Sequence, residues 1–133
     1  MKNTVSYLLL PSGKKLVSWH IHDLKIFEED GIEYMIDGGQ DSGYTRYSDP
    51  DNKCEFKNDT IEDSISWIRD SFKWGVGYDK NNKRLSETKE VLLKDLDTTH
   101  IEKILELDKV KGRYIEQFFK EELKYRKNIE TNK

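Results

Sequence analysis

The chain has 133 residues, the size of one ordinary domain. It is 37% charged and 35% hydrophobic and contains no alanine. No run approaches the ~18 apolar residues of a membrane span, and no charged-then-apolar leader opens the chain. The single cysteine, Cys54, lies among polar residues and excludes an internal disulfide or a cysteine-only metal cage. The expectation is a soluble single domain spanning 1–133. Residues 1–57 are expected to be mainly strands and loops, 58–127 mainly helical with one strand, and 128–133 a frayed tail. Without alanine the apolar surface must come from large side chains, 15 of them aromatic, which reconciles a mean hydropathy of -0.89 with folding.

In chain order, Leu8–Leu10 read as a short strand cut off by Pro11 and Gly13. The run 16–22 alternates and is expected to be a strand with Leu16, Ser18, His20 and His22 on one face. Leu24, Ile26 and Phe27 continue it, Glu29-Asp30-Gly31 supplies hairpin-turn chemistry, and Ile32–Ile36 return as the partner strand. Gly38-Gly39 breaks that strand, 44–47 read as another short one, and 48–58, with Pro50, as a loop. Asp59 then sits as an N-cap three positions before Glu62. Ile61, Ile65, Ile68 and Phe72 form one helical stripe, with Trp67 and Trp74 off that line and Gly75 and Gly77 ending the helix. A turn is expected at 79–82, a short buried strand at 90–94, and a helix capped by Thr98 or Thr99. A last helix follows Gly112, with Tyr114, Phe118 and Tyr125 on one line and Ile115 and Phe119 beside it. Its wide apolar face predicts either two neighbours within the domain or a homodimer. These elements make an α+β fold, an N-terminal hairpin-rich antiparallel sheet packed on about three C-terminal helices.

Charge is unevenly spread. From Glu28 to Asp63 there are twelve acids against three bases, and from Lys109 to Lys127 seven bases against three acids. A formal net charge of -3 argues against general nucleic-acid binding.

Three clusters carry candidate chemistry. His20, His22 and Asp23 form a metal candidate if two imidazoles share a strand face with a carboxylate nearby; spacing fixes no third ligand. In 36–46, Asp37, Gly38, Gly39, Asp41, Tyr44 and Arg46 form a ligand-binding candidate. Glycines admit a ligand to the backbone, the carboxylates hold a cation or hydroxyls, and Arg46 pairs with phosphate or carboxylate. The competing reading is a tight structural turn in which Asp37 and Asp41 cap amides and Arg46 bridges them. Trp74 and Tyr78, beside two glycines, are a candidate stacking platform for a planar ring; the alternative is a helix C-cap with Trp74 folded back onto the sheet. No nucleophile, Walker or zinc-hydrolase motif is present, so no catalytic residue and no cofactor is assigned.

Ser18–Asp23, Ile36–Asp41 with Arg46, Phe72–Gly75 and Val91–Ile101 together resemble a family of small phage and prophage proteins. The Asp-Gly-Gly-x-Asp element is the most specific part of the match. Some members are similar to zinc ribbons, but the cysteine positions around the first two strands are not cysteine here. The resemblance implies a phage or mobile-element origin and the host cytoplasm as location, and carries no catalytic role. The expected function is a binding or accessory protein. It inhibits a host enzyme or defence component, or sequesters a nucleotide-like ligand; the alternative is a metal-dependent hydrolase using His20, His22 and Asp41.

Overall fold

The computed structural model describes residues 2–78 and 83–131. The turn expected at 79–82 and the side chain of Tyr78 lie outside the described residues. The fold is α+β: three antiparallel sheets of two or three strands, mostly early in the chain, and three α-helices, mostly late, among the described residues. Internal contacts divide the chain into two units, 1–60 and 61–133.

In the first unit, β1 (Thr4–Leu9) lies between β2 (Lys15–Leu16) and β6 (Glu55–Thr60). Four consecutive residues of β1, Val5 to Leu8, are buried, which is the signature of a central strand rather than a one-sided one. A second sheet orders β3 (Lys25–Glu29), β4 (Ile32–Asp37) and β5 (Arg46–Ser48). The hairpin between β3 and β4 turns on Asp30 and Gly31, both at positive φ (52° and 78°), as a two-residue primed turn requires. Alternation decides the faces of β4. Tyr34 and Ile36 are buried, joining Leu8, Leu10 and Leu16 in one core with Phe27, Ile32, Cys54 and Phe56 against it. Glu33, Met35 and Asp37 take the opposite face.

Two expectations fail here. The run 16–22 is not a strand: beyond Leu16 the backbone leaves the sheet, and it turns at 20–23, where the Asp23 N–H donates to the His20 carbonyl at 2.9 Å. His20 and His22 therefore share no strand face. Conversely, the expected loop 48–58 ends in β6, paired with β1 over its whole length from Leu9↔Glu55 to Thr4↔Thr60. A strand with one large apolar residue, Phe56, has no periodic signature; long-range pairing and polar cross-strand contacts make it. The Ser6 hydroxyl donates to Asn58 Oδ1 and the Tyr7 hydroxyl to Asp59. Asp59, expected as a helix cap, is thus a strand residue, and burial with that carboxylate pushes the Tyr7 phenol up to about 12.

In the second unit, α1 (Ile61–Ile68) buries Ile61, Ile65 and Ile68 as its spacing predicts. It stops at Ile68, where Ser71 and Phe72 N–H groups both donate to the Ile68 carbonyl. The expected continuation through Trp74 is instead β7 (Lys73–Tyr78), paired with β8 (Arg84–Leu92) in a two-stranded ribbon. Gly75 and Gly77 therefore lie inside a strand and end no helix; non-local pairing overrides the local 3.6-residue phase. A single 3₁₀ turn (Leu93–Asp95) leads to α2 (Thr98–Ile104), and α3 (Glu116–Thr131) continues past the expected fraying point at 128. Phe72 packs edge-to-face on Phe118 at 4.9 Å, and Tyr114 does so at 5.2 Å. Tyr125 lies under the Arg69 guanidinium, 4.5 Å from its ring centroid. The wide apolar face of the last helix is thereby largely used inside this unit.

One feature of α3 had no sequence signature. Glu122 is fully buried. Its carboxylate accepts Arg69 Nε and Nη2 at 2.7 and 3.0 Å and Arg126 Nε at 2.6 Å. Arg126 also donates to the carbonyls of Leu93, Lys94 and Leu96 and to the Thr98 hydroxyl, tying α3 to the 3₁₀ turn and the start of α2. A buried carboxylate is tolerated when cations and hydrogen bonds replace water around it.

Candidate functional site

The 37–46 segment is a turn built from the inside outward. At its base Gln40, 4% exposed, acts as a surrogate strand against β1. Its Oε1 accepts the Ser6 N–H at 2.7 Å, and its Nε2 donates to the carbonyls of Ser6 at 2.9 Å and Ser18 at 2.7 Å. Lys2 donates to the Gln40 carbonyl at 2.8 Å, and burial lowers its pKa. The buried Ser18 hydroxyl accepts the Gly39 N–H at 2.9 Å and donates to the Asp23 carbonyl at 2.6 Å. Gly39 has φ +74°, and a Cβ there would lie 2.8 Å from the His20 carbonyl oxygen. Only glycine fits where two chain segments meet this closely.

Above this base the loop closes on itself. The Thr45 hydroxyl donates to the Gly39 carbonyl at 2.8 Å, and the Ser42 hydroxyl donates to the Gly38 carbonyl while accepting the Tyr44 N–H at 3.0 Å. Asp37 ends β4 directly opposite Arg46, the first residue of β5. Its carboxylate accepts Arg46 Nη2 and the Gly38 N–H, each at 2.8 Å. Arg46, then the Gly38 amide, hold the Asp37 carboxyl below the ordinary range, with a smaller contribution from His22.

These groups border an open cleft of about 510 Å³ lined by Ile21, Asp37, Gly38, Gly43, Tyr44, Thr45 and Arg46. Of the sequence candidates, Asp37, Gly38, Tyr44 and Arg46 line it. Gly39 lies beneath as a close-packing residue, and Asp41 is exposed on the loop without lining it. Ile21, Gly43 and Thr45 were not foreseen. Ile21 carries no signal of its own once the stretch is read as a strand, whereas Gly43 and Thr45 lay inside the segment singled out. Arg46 bridges to Asp37 but not to Asp41, half of what the structural-turn reading requires, and most of its side chain remains in solvent.

Asp23 and Trp74 are engaged elsewhere. Asp23 accepts the Trp19 N–H at 2.8 Å and pairs with Lys25 at 2.8 Å. Among the described residues no three His, Cys, Asp or Glu side chains group so as to hold a metal ion. Trp74 packs edge-on against Phe119 at 5.3 Å, with Lys109 Nζ 5.1 Å from its ring centroid. It serves the second unit's own packing rather than an open stacking platform. No described helix is long and apolar enough to cross a membrane. No protein family model, curated protein or solved structure matches this chain, so the site stands on its geometry alone.

Proposed function

We propose that this chain is a non-catalytic binding protein that holds a protein partner at the 37–46 turn. One observation carries the reading: Tyr44, 71% exposed, and Arg46 stand in solvent beside exposed Ile21, on a backbone fixed beneath them by buried hydrogen bonds. Tyrosine and arginine dominate the energetics of protein interfaces, and a rigid backbone limits the entropy lost on binding. The phage likeness extends the proposal to a host enzyme or defence component as the partner.

The test is a photo-crosslinking amino acid at position 44, used in the cell that makes the protein. A discrete crosslinked protein is expected, lost when Arg46→Gln is added while circular dichroism shows the chain still folded at the crosslinking temperature. A crosslinking pattern indifferent to Arg46 overturns the reading. A second reading, a nucleotide-like ligand, draws on the glycine backbone and Arg46, but Asp37 already neutralises that arginine and repels phosphate. Calorimetric heat with a panel of linear and cyclic nucleotides favours this second reading over the first. The hydrolase alternative through His20, His22 and Asp41 gains no support from a backbone that turns between the two histidines.

A further inference from the structure

The solvent-facing side of the β3–β4–β5 sheet adjoins the cleft, and register fixes its layout. Paired residues share a face, so Ile26 lies beside Met35 and Ser48, and Asp37 beside Arg46. Leu24, immediately before β3, is exposed as well. Ile26 and Leu24 are 55% and 49% exposed, and together with Ile21 and Tyr44 they leave an apolar strip in water.

At the far end of the strip, Glu28 and Glu33 are directly opposite one another, both exposed. Like charges placed so destabilise a sheet, and among the described residues neither glutamate has an ion-pair partner. The surrounding unit is acidic, with eleven Asp and Glu against seven Lys and Arg in residues 1–60.

We infer that this face docks a protein segment carrying apolar side chains for the Leu24–Ile26–Met35 strip and a lysine or arginine for the Glu28–Glu33 pair. A partner cation relieves the glutamate repulsion on binding, and the acidic unit favours the approach of a basic segment over an acidic one. The inference rests on the protein-binding reading above and specifies the partner's chemistry.

The experiment is an NMR titration of the full chain with a leucine–lysine amphipathic peptide and with its leucine–glutamate twin. The lysine peptide is expected to move the amide signals of Leu24, Ile26, Glu28, Glu33 and Met35, and the twin to leave them in place. Glu33→Lys is expected to weaken the lysine peptide about tenfold and to admit the twin. Ile26→Asp, at an exposed position, is expected to abolish binding of the lysine peptide while the chain stays folded. Equal binding of the two peptides, or shifts confined to other surfaces, overturns the inference. So does concentration-dependent sedimentation without peptide that Ile26→Asp abolishes, because a second copy then covers the face. These failures leave crosslinking at position 44 intact, whereas failure of the protein-binding reading removes the crosslink itself.

Discussion

The two units bury polar groups in opposite ways. Residues 1–60 place a neutral amide, Gln40, at the base of the candidate site and satisfy it with backbone partners from β1 and the 18–23 segment. Residues 61–133 bury a carboxylate, Glu122, and satisfy it with two guanidiniums. A neutral clamp needs no counter-charge and fixes the path of the chain. A buried charge holds elements together only while its cations remain, and losing one partner leaves the others desolvated. The presented loop thus rests chiefly on a neutral amide clamp, while the helical unit depends on a buried charged network.

The sharpest way to break this contrast is Glu122→Gln. It leaves Arg69 and Arg126 without their anion and is expected to cost about 3–5 kcal/mol in urea unfolding. Replacing Arg69, Glu122 and Arg126 together by leucine is expected to recover only part of that loss. The carbonyls of Leu93, Lys94 and Leu96 then lose the donor that Arg126 supplies. Next in size is Gln40→Ala, which strips the Ser6 N–H and C=O of partners and is expected to cost about 2–3 kcal/mol. The same urea measurement checks it, and amide exchange at Ser6 and Gly39 shows whether the turn loosens. Gly39→Ala is expected to cost about 3 kcal/mol, because its Cβ meets the His20 carbonyl carbon at 2.5 Å in addition to the strain of positive φ.

A smaller effect separates the turn's surface from its base. The Asp37 carboxyl is held low by Arg46, so its ionised form stabilises the folded state. That contribution is present above the ordinary carboxylate value of about 4 and is lost as pH falls through the lower folded value. Asp37→Asn is expected to flatten the acid limb of the stability profile below about pH 4, which unfolding midpoints against pH measure. Smallest of all, Tyr44→Ala is expected to change stability by less than about 0.5 kcal/mol. A larger loss means that Tyr44 holds the loop together rather than presenting a surface.

Much of this was legible in the residues, unevenly. The Asp30-Gly31 hairpin, the Gly38-Gly39 break and the Ile61–Ile65–Ile68 stripe follow from local rules, because turn dihedrals and helical phase act over a few residues. The 37–46 segment was found from its glycines and charges, but its organisation was not. Gln40 reads as an ordinary loop polar residue until Ser6 and Ser18 are brought to it from 34 and 22 residues away. Trp74 failed in the opposite direction: glycines beside an aromatic suggested an exposed platform, and Phe119 and Lys109 claimed the ring.

By itself the sequence determined the α+β class, the principal hairpin, the start of each helix to within a few residues, and the location of the glycine-rich loop. Those properties depend on short-range sterics and on the period of apolar residues. Only the tertiary structure decided that 55–60 and 73–78 are strands, that His20 and His22 lie in a turn, and that Glu122 is buried between two arginines. It alone placed Ile21 beside Tyr44 and Arg46. Each of these depends on partners distant in sequence, and a polar or glycine-bearing stretch carries no local record of the neighbour that will satisfy it.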